Sequence, residues 1–478
     1  MKNNSILENY NLIKNKETTY SQLTKEKIEK IKVSIKNNEN IIINTNFDEA
    51  IKKSEELDKN LSNEYHDGVT VLVKDNIAIQ GAKNTCGSKI LENYITPYNA
   101  TIVENLKTRN AIILGTTNLD EFGQGGTGTS SGFGIIKNPS DPTRIVGGSS
   151  SGSTAAVKLG YCDISVGTDT GDSIRHPCSF SGTTGFKPSF GIVSCYGVTP
   201  YACSLDHVGI ISNNVQDCAI GLDLISGFDE KDLKTNKEKK YQFEKNLKII
   251  DKAKIVIFSD VNKGMNCSVK QIFDSFINDV KKKYEVVEIE FGDELLNSLL
   301  PLYKTISFLE AASNRMNLNG ITFAGKNINY KNYENLMLNI RSNFTNEVKQ
   351  RYLAFAKLFG EEKFDVIYHN SLKIRNIITN KMNKILNEYD YLIIPSASEF
   401  PPLLEDVLSG KQSGNFCDDA LLLANFAHLP SLTIPITHFD SKLHFGINIM
   451  GKYLNDQSVL DLGYSIEKMI KENGYYDK

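Results

Sequence analysis

The chain has 478 residues, 40% of them hydrophobic, which is ample for a large buried core. A formal net charge of −3 gives no global electrostatic pull toward nucleic acid. Residues 1–30 are polar and charged and no run of about 18 apolar residues occurs, so neither a leader nor a membrane span is expected, and the chain reads as cytoplasmic.

Taken in order, Leu23, Ile28, Ile31 and Ile35 have helical spacing over residues 20–36, and a second helix is expected at 47–61. Gly68 opens an apolar strand, Val69 to Val73, ending at Lys74. A helix near 99–109 leads into strand Ala111 to Leu114 and then a loop, Gly115 to Asn118. Ala155 to Val157 suggest a helix after a Ser-rich loop, and Ile164 to Val166 a strand. Residues 225–250 are charged and turn-rich. Ile255 to Phe258 is a strand, followed by a largely helical stretch to about 388. Strands return at Tyr391 to Pro395 and at Leu432 to Pro435. Alternating strands and helices predict an α/β fold, and the chain reads as one domain over 1–478 with a helical elaboration at about 225–388. The eight cysteines include no C-x-x-C pair and are expected to be reduced.

The chemistry concentrates in three places. Lys74 ends a strand, Ser149 lies in Gly147-Gly148-Ser149-Ser150-Ser151-Gly152-Ser153, and Ser173 lies in Gly167 to Arg175. A serine hydroxyl needs a base. His176 is close in sequence, but Pro177 follows it and no G-x-S-x-G elbow exists. Lysine can serve instead when burial keeps it neutral. The turn before Ser173 can aim the backbone N–H groups of Thr170, Gly171, Asp172 and Ser173 at one point, as an oxyanion hole requires. Three patterns point elsewhere and fail. Gly147 to Thr154 lacks the P-loop lysine, Asp169-Thr170-Gly171 has no second D-[ST]-G, and Gly125 to Gly128 is a lone glycine loop.

These pieces together resemble the amidase signature family. Its G-G-S-S-G-G-S core is matched at Gly147 to Ser153, its G-x-D-x-G-G-S-I-R-x-P run at Gly167 to Pro177, and its K-D-N motif at Lys74-Asp75-Asn76. The resemblance implies an amidase signature fold, a central mixed β-sheet flanked by helices on both faces. It also implies Ser173 as nucleophile, Ser149 as bridging serine in a cis peptide, and Lys74 as base. Asn118 to Phe122, Ser204 to Gly209, Glu310 to Asn314 and Phe445 to Gly451 are similar to the glutamine-hydrolysing tRNA amidotransferase branch of that family. That similarity implies Arg375 and Asp418, with Asp419 a close competitor, as holders of the glutamine α-carboxylate and α-amine. It further implies GatB-like and GatC-like partner subunits in a heterotrimer, tRNA bound mainly by the partner, and ATP and Mg²⁺ used there, with no cofactor or metal in this chain. The product ammonia would convert Glu-tRNA(Gln) to Gln-tRNA(Gln). A stand-alone amidase of the same family acting on another amide is the alternative. Asp172 and Ser151 stand where the family pattern has glycine, and Asp172 is expected to point outward and serve through its backbone.

Overall fold

The computed structural model describes residues 4–61, 64–237, 241–315, 318, 323, 331–360, 364–411, 416–437 and 442–474. Among them eleven strands form one mixed sheet. The strands are β1 (Ile42–Thr45), β2 (Thr70–Lys74), β3 (Ile112–Thr117), β4 (Ile164–Asp169), β5 (Thr184–Lys187) and β6 (His207–Ser212). They continue with β7 (Lys254–Phe258), β8 (Glu285–Ile289), β9 (Tyr391–Pro395), β10 (Ser431–Thr437) and β11 (His444–Met450). Their spatial order is β1-β3-β2-β4-β6-β5-β10-β11-β9-β7-β8. β2 runs parallel to both β3 and β4, and β7 parallel to both β8 and β9, while the middle of the sheet is antiparallel.

Both faces of the central strands are buried. Val71, Val73, Ile113, Val166, Val208 and Ile210 enter one core, and Leu72, Ile112, Leu114 and Ile211 the other. This explains why the strands read as unbroken apolar runs rather than as alternating ones. Helices Thr101–Thr108 and Val215–Ile225 cover the first face, and helix Ser151–Lys158 with helix Tyr20–Lys36 covers the second.

The expected mixed α/β architecture is present, with four local differences. The helix over 20–36 buries Tyr20, Thr24, Ile28, Ile31 and Ser34 and leaves Ile35 exposed. Gly115 to Thr117 belong to β3 rather than to a loop, because β1 and β2 pair with them on either side. β1 itself has no counterpart among the expected elements. The stretch to 388 also contains β8, whose edge position leaves it half exposed and hides its strand pattern. No helix of the described residues is long and apolar enough to cross a membrane.

Candidate active site

β2 and β4 are adjacent and parallel, so Lys74 at the end of one and the turn after Asp169 at the end of the other share a sheet edge. Ligands of α/β sheets gather at such carboxyl ends. The Ser-rich loop reaches the same edge. Gly147 turns with φ +80, the Gly148–Ser149 peptide is cis, and helix Ser151–Lys158 follows. The Ser150 N–H donates to the Ser173 carbonyl at 3.1 Å, which joins the two serine segments. Gly148 has no substitute here, since a Cβ would sit 2.1 Å from Asp120 Oδ2. That carboxylate accepts the N–H groups of Gly128 and Ser130 and so fixes the neighbouring glycine loop.

Lys74 is fully buried. Its Nζ lies 2.8 Å from Ser149 Oγ, 2.9 Å from Ser150 Oγ, and 2.9 and 3.3 Å from Thr168 Oγ1 and O. Burial lowers its pKa to about 7, against the opposing pull of the Asp120, Asp169 and Asp206 carboxylates. A neutral amine donates two hydrogen bonds and accepts one, so it can serve Ser150 and Thr168 while accepting the Ser149 hydroxyl proton. Ser149 and Ser173 are both buried, and among the described residues no hydrogen bond joins their Oγ atoms.

The Ser173 turn is held from behind. Asp169 and Arg175 form a fully buried ion pair, Nη2 to Oδ1 at 3.0 Å and Nε to Oδ2 at 3.1 Å. Burial pushes the Asp169 carboxyl up, but the Arg175 charge prevails and holds it below its ordinary value. Arg175 also donates to the Gly171 carbonyl, to the Leu421 carbonyl and to Asn425 Oδ1. Thr170 Oγ1 donates to Asp206 Oδ1 at 2.6 Å. With the Gly171 carbonyl turned toward Arg175, the N–H groups of Thr170, Gly171, Asp172 and Ser173 donate no hydrogen bond among the described residues. Four unclaimed donors in a largely buried turn fit an oxyanion hole. Tyr303 covers this turn: a Cβ on Gly171 would lie 3.0 Å from its ring.

Asp172 has a third of its side chain exposed and Oδ2 4.0 Å from His176 Nδ1. Burial raises its carboxyl to about 6, helped by Asp169 and Asp418 and opposed by His176. Its carboxylate stands near His176 and also near Tyr303, Asp418 and Asp419, and its N–H stays in the turn. Ser151 is buried in the first turn of its helix, with an Oγ that has no hydrogen-bond partner among the described residues.

The two expected substrate holders are occupied by the chain itself. Arg375 donates to the Phe426 carbonyl, to Ser204 Oγ and O, and to His428 Nε2. Asp418 accepts the Ser398 N–H and hydroxyl, one on each carboxylate oxygen. Both side chains thus clamp loops around the site in this structure, and neither presents an open fork. Asp419, the competitor, is half-buried, and burial with the nearby Asp418 and Asp172 charges raises it to about 7. Sequence reasoning missed Arg351. It is half-buried, lies 5.2 Å over the Phe308 ring, and donates Nη1 to Tyr201 Oη at 2.8 Å and both Nε and Nη2 to Glu347, at 2.8 and 2.7 Å. Tyr201 stands edge-on to Tyr303 at 6.5 Å, which places Arg351 in the wall next to the Ser173 turn. The missed support groups Ser150, Thr168, Arg175 and Asp206 sit inside the motifs themselves, but nothing in their spacing announces which atoms they hold.

The amidase family matches residues 22–460, and the chain belongs to that family of enzymes. Among curated relatives, the GatA protein of the Sulfolobus acidocaldarius glutamyl-tRNA(Gln) amidotransferase is 34% identical over 96% of this chain and 95% of its own. The Helicobacter pylori protein of the same name is 36% identical over 84% and 88%. The crystal structure of the corresponding Thermotoga maritima protein superposes with a TM-score of 0.75 at 27% identity, covering 94% and 91% of the two chains. The peptide amidase of Stenotrophomonas maltophilia shares the fold, with a TM-score of 0.81 at 21% identity over 98% and 97%.

Proposed function

We propose that this chain is the glutamine-hydrolysing subunit of a glutamyl-tRNA(Gln) amidotransferase, with Lys74, Ser149 and Ser173 as its catalytic residues. The observation that carries the reading is the buried Lys74 amine 2.8 Å from Ser149 Oγ, beside a serine turn with four unused N–H groups. The Sulfolobus, Helicobacter and Thermotoga relatives support the choice of glutamine.

Neutral Lys74 takes the Ser149 proton as Ser149 takes the proton of Ser173. Ser173 then attacks the side-chain amide carbon of glutamine. The absence of a Ser149–Ser173 hydrogen bond in the free chain fits catalytic contacts that tighten only around substrate. The tetrahedral oxyanion sits against the N–H groups of residues 170–173. Collapse of the intermediate expels ammonia, which receives the proton by way of Ser149, and water then hydrolyses the glutamyl ester. Arg351 is the better-placed cation for the substrate carboxylate, and Arg375 and Asp418 hold the Ser204, Phe426 and Ser398 backbone. Ammonia passes to a GatB-like subunit that uses ATP and Mg²⁺, with a GatC-like subunit completing the heterotrimer. This chain then needs no cofactor or metal of its own, works in the cytoplasm, and leaves tRNA mainly to its partner.

The engagement of Arg375 and Asp418 inside the chain favours a second reading, an amidase that acts alone on another amide. Ammonia release from glutamine, with and without the partners, separates the two, using Ser173→Ala as the blank. Release that rises with partners, ATP and Glu-tRNA(Gln) supports the amidotransferase. A complex without glutaminase activity, together with Ser173-dependent cleavage of other amides by the lone chain, supports the free amidase.

A further inference from the structure

Helix Asp293–Arg315 braces the wall of the cleft that carries Ser173. Tyr303 lies against Gly171, Ser307 Oγ accepts from Tyr201 Oη at 3.2 Å, and Glu310 accepts the Ser204 N–H and hydroxyl. Asn314 Nδ2 donates to the Tyr201 carbonyl at 3.3 Å. Positions 303, 307, 310 and 314 recur at i, i+4, i+7 and i+11, so they share one face of the helix. Arg315, the last residue of the helix, reaches the Ser149 side as well. It is 3% exposed, and its Nη2 donates to the Phe122 carbonyl at 2.5 Å and to the Pro200 carbonyl at 3.2 Å. The guanidinium carbon lies 5.0 Å from the Phe122 ring and 5.1 Å from the Tyr201 ring, within cation–π reach of both.

Both carbonyls belong to segments that border a reacting serine. Phe122 has φ +57, a left-handed conformation that bulky residues rarely hold, and Gly123 follows with φ +69. Such a conformation persists only where surrounding contacts impose it. The Cys86 carbonyl takes the Phe122 N–H, and Arg315 takes the Phe122 carbonyl. The turn so held puts Gly123 against Ser149, since a Cβ on Gly123 would stand 3.6 Å from Ser149 Oγ. On the other side, Pro200 precedes Tyr201, the Tyr201 N–H donates to Asp206 Oδ2, and Asp206 accepts Thr170 Oγ1 in the Ser173 turn. Arg315 Nε and Nη1 are buried with no hydrogen-bond partner among the described residues. Unpaired donors on a buried cation are costly, and an apolar side chain of similar volume would serve stability better.

We infer that Arg315 is a positioning residue for the proton transfer between the two serines. It fixes the Phe122–Gly123 turn, which lies against Ser149, relative to the segment that holds the Ser173 turn, and so sets how closely Ser149 Oγ can approach Ser173 Oγ. It acts through those two segments and not on the substrate. The inference rests on the reading of Lys74, Ser149 and Ser173 as the catalytic residues, and it holds for any amide the site accepts.

The test is hydrolysis of a simple amide by the full chain carrying Arg315→Met or Arg315→Lys, each alone and combined with Ser149→Ala. Arg315→Met should lower kcat by about 100-fold, the effect of misplacing reacting groups by about 1 Å, with KM nearly unchanged. The midpoint of its pH–rate profile should stay at the wild-type value, because Lys74 remains buried; a general loosening of the site would admit water to Lys74 and move the midpoint up. In the Ser149→Ala background the same substitution should cost less than about threefold, since the contact it positions is already gone. Arg315→Lys keeps the charge but loses the planar fork, so kcat should fall about tenfold at the same midpoint. This milder variant decides the matter if Arg315→Met does not melt cooperatively. Wild-type kcat in a folded variant overturns the inference. A loss of equal size with and without Ser149→Ala, or a midpoint that rises with the loss, overturns it too and leaves Arg315 a purely structural residue. Wild-type activity in Ser149→Ala overturns the catalytic reading and the inference with it.

Discussion

Arg175 and Asp169 form an ion pair with no exposed surface on either side chain, and that pair faces the back of the Ser173 turn. The same guanidinium takes the Gly171 carbonyl, and Asp169 takes the Ile174 N–H. The turn's acceptors are thereby drawn inward and its donors left for the substrate. The pair is worth little as a net source of stability, because desolvating two charges consumes most of their attraction. Its value is geometric, and removing one partner alone strands the other. Arg175→Met should destabilise the fold by about 3–5 kcal/mol, read from urea denaturation, because Asp169 would be left as an uncompensated buried charge. A loss below about 1 kcal/mol would show that the turn does not depend on the pair.

The Lys74 amine must be neutral to accept a proton, and burial brings its pKa to about 7. The rate of Ser173-dependent amide hydrolysis should therefore rise with pH and level off above about 7. The stability linkage has the same direction. Between about 7 and the ordinary lysine value the unfolded chain binds a proton that the folded chain does not, so this group makes stability rise with pH across that window. A pH–rate profile and denaturation midpoints at pH 7 and pH 9, each against Lys74→Met, check both. A flat profile across pH 6–8 would contradict the assignment of Lys74 as base.

Ser150 holds the Lys74 amine without itself exchanging a proton in the proposed step. Its hydroxyl donates to the Thr168 carbonyl at 3.1 Å and accepts from Lys74 Nζ. Ser150→Ala removes both hydrogen bonds; the one to Lys74 bears on the base and is worth roughly 1–1.5 kcal/mol, which predicts a loss in kcat of about tenfold with KM nearly unchanged. The backbone bond from Ser150 N–H to the Ser173 carbonyl survives the substitution, so the fold should not suffer. A fall in kcat of a thousandfold or more would instead make Ser150 part of the proton path.

Asp172 is partly exposed, and burial raises its carboxyl to about 6. A raised acid binds more protons folded than unfolded between its ordinary value and about 6, so its contribution to stability falls as pH rises through that window. Asp172→Asn should therefore raise the melting temperature at pH 8 more than at pH 5. If the carboxylate leaned over the oxyanion, Asp172→Gly would also raise amide hydrolysis sharply. With the carboxylate beside His176, activity should change by less than about threefold, since only the backbone N–H serves the site.

Much of this site was legible because its chemistry is local in sequence. Lys74 ends an apolar run, Ser149 stands in a glycine loop, and Ser173 follows a strand, so short spacings carried all three. The central strands were legible for the same reason, since burial on both faces made them continuous. What the sequence hid was long-range. β1 and β8 are edge strands with weak patterns, and β1 pairs with β3 some way along the chain. Arg351 lies in a helix whose stripe reads like any other amphipathic surface, and only the Tyr201 and Tyr303 rings place it in the wall. Arg375 stood out as a helix arginine near the right segment. Its donors, however, go to Ser204, Phe426 and His428, which are 171, 51 and 53 residues away.

The division of labour between Arg351 and Arg375 is open to a direct kinetic separation. Arg351 has its Nη1 on a phenol and its Nε and Nη2 on Glu347, side-chain partners that a substrate carboxylate can share or displace. Arg375 is pinned to two backbone carbonyls, which have no such alternative. Arg351→Met should raise KM for glutamine by roughly 10- to 100-fold, the loss of a charge-assisted bond of about 1.5–3 kcal/mol. It should leave hydrolysis of a simple amide without an α-carboxylate within about threefold of wild type. Arg375→Met should lower the melting temperature and reduce the hydrolysis of both substrates in parallel, because it loosens the Ser204 segment that carries Asp206 toward Thr170. A KM effect specific to glutamine in Arg375→Met, with Arg351→Met silent, would return the carboxylate clamp to Arg375 and require its guanidinium to swing free of Ser204 when substrate binds.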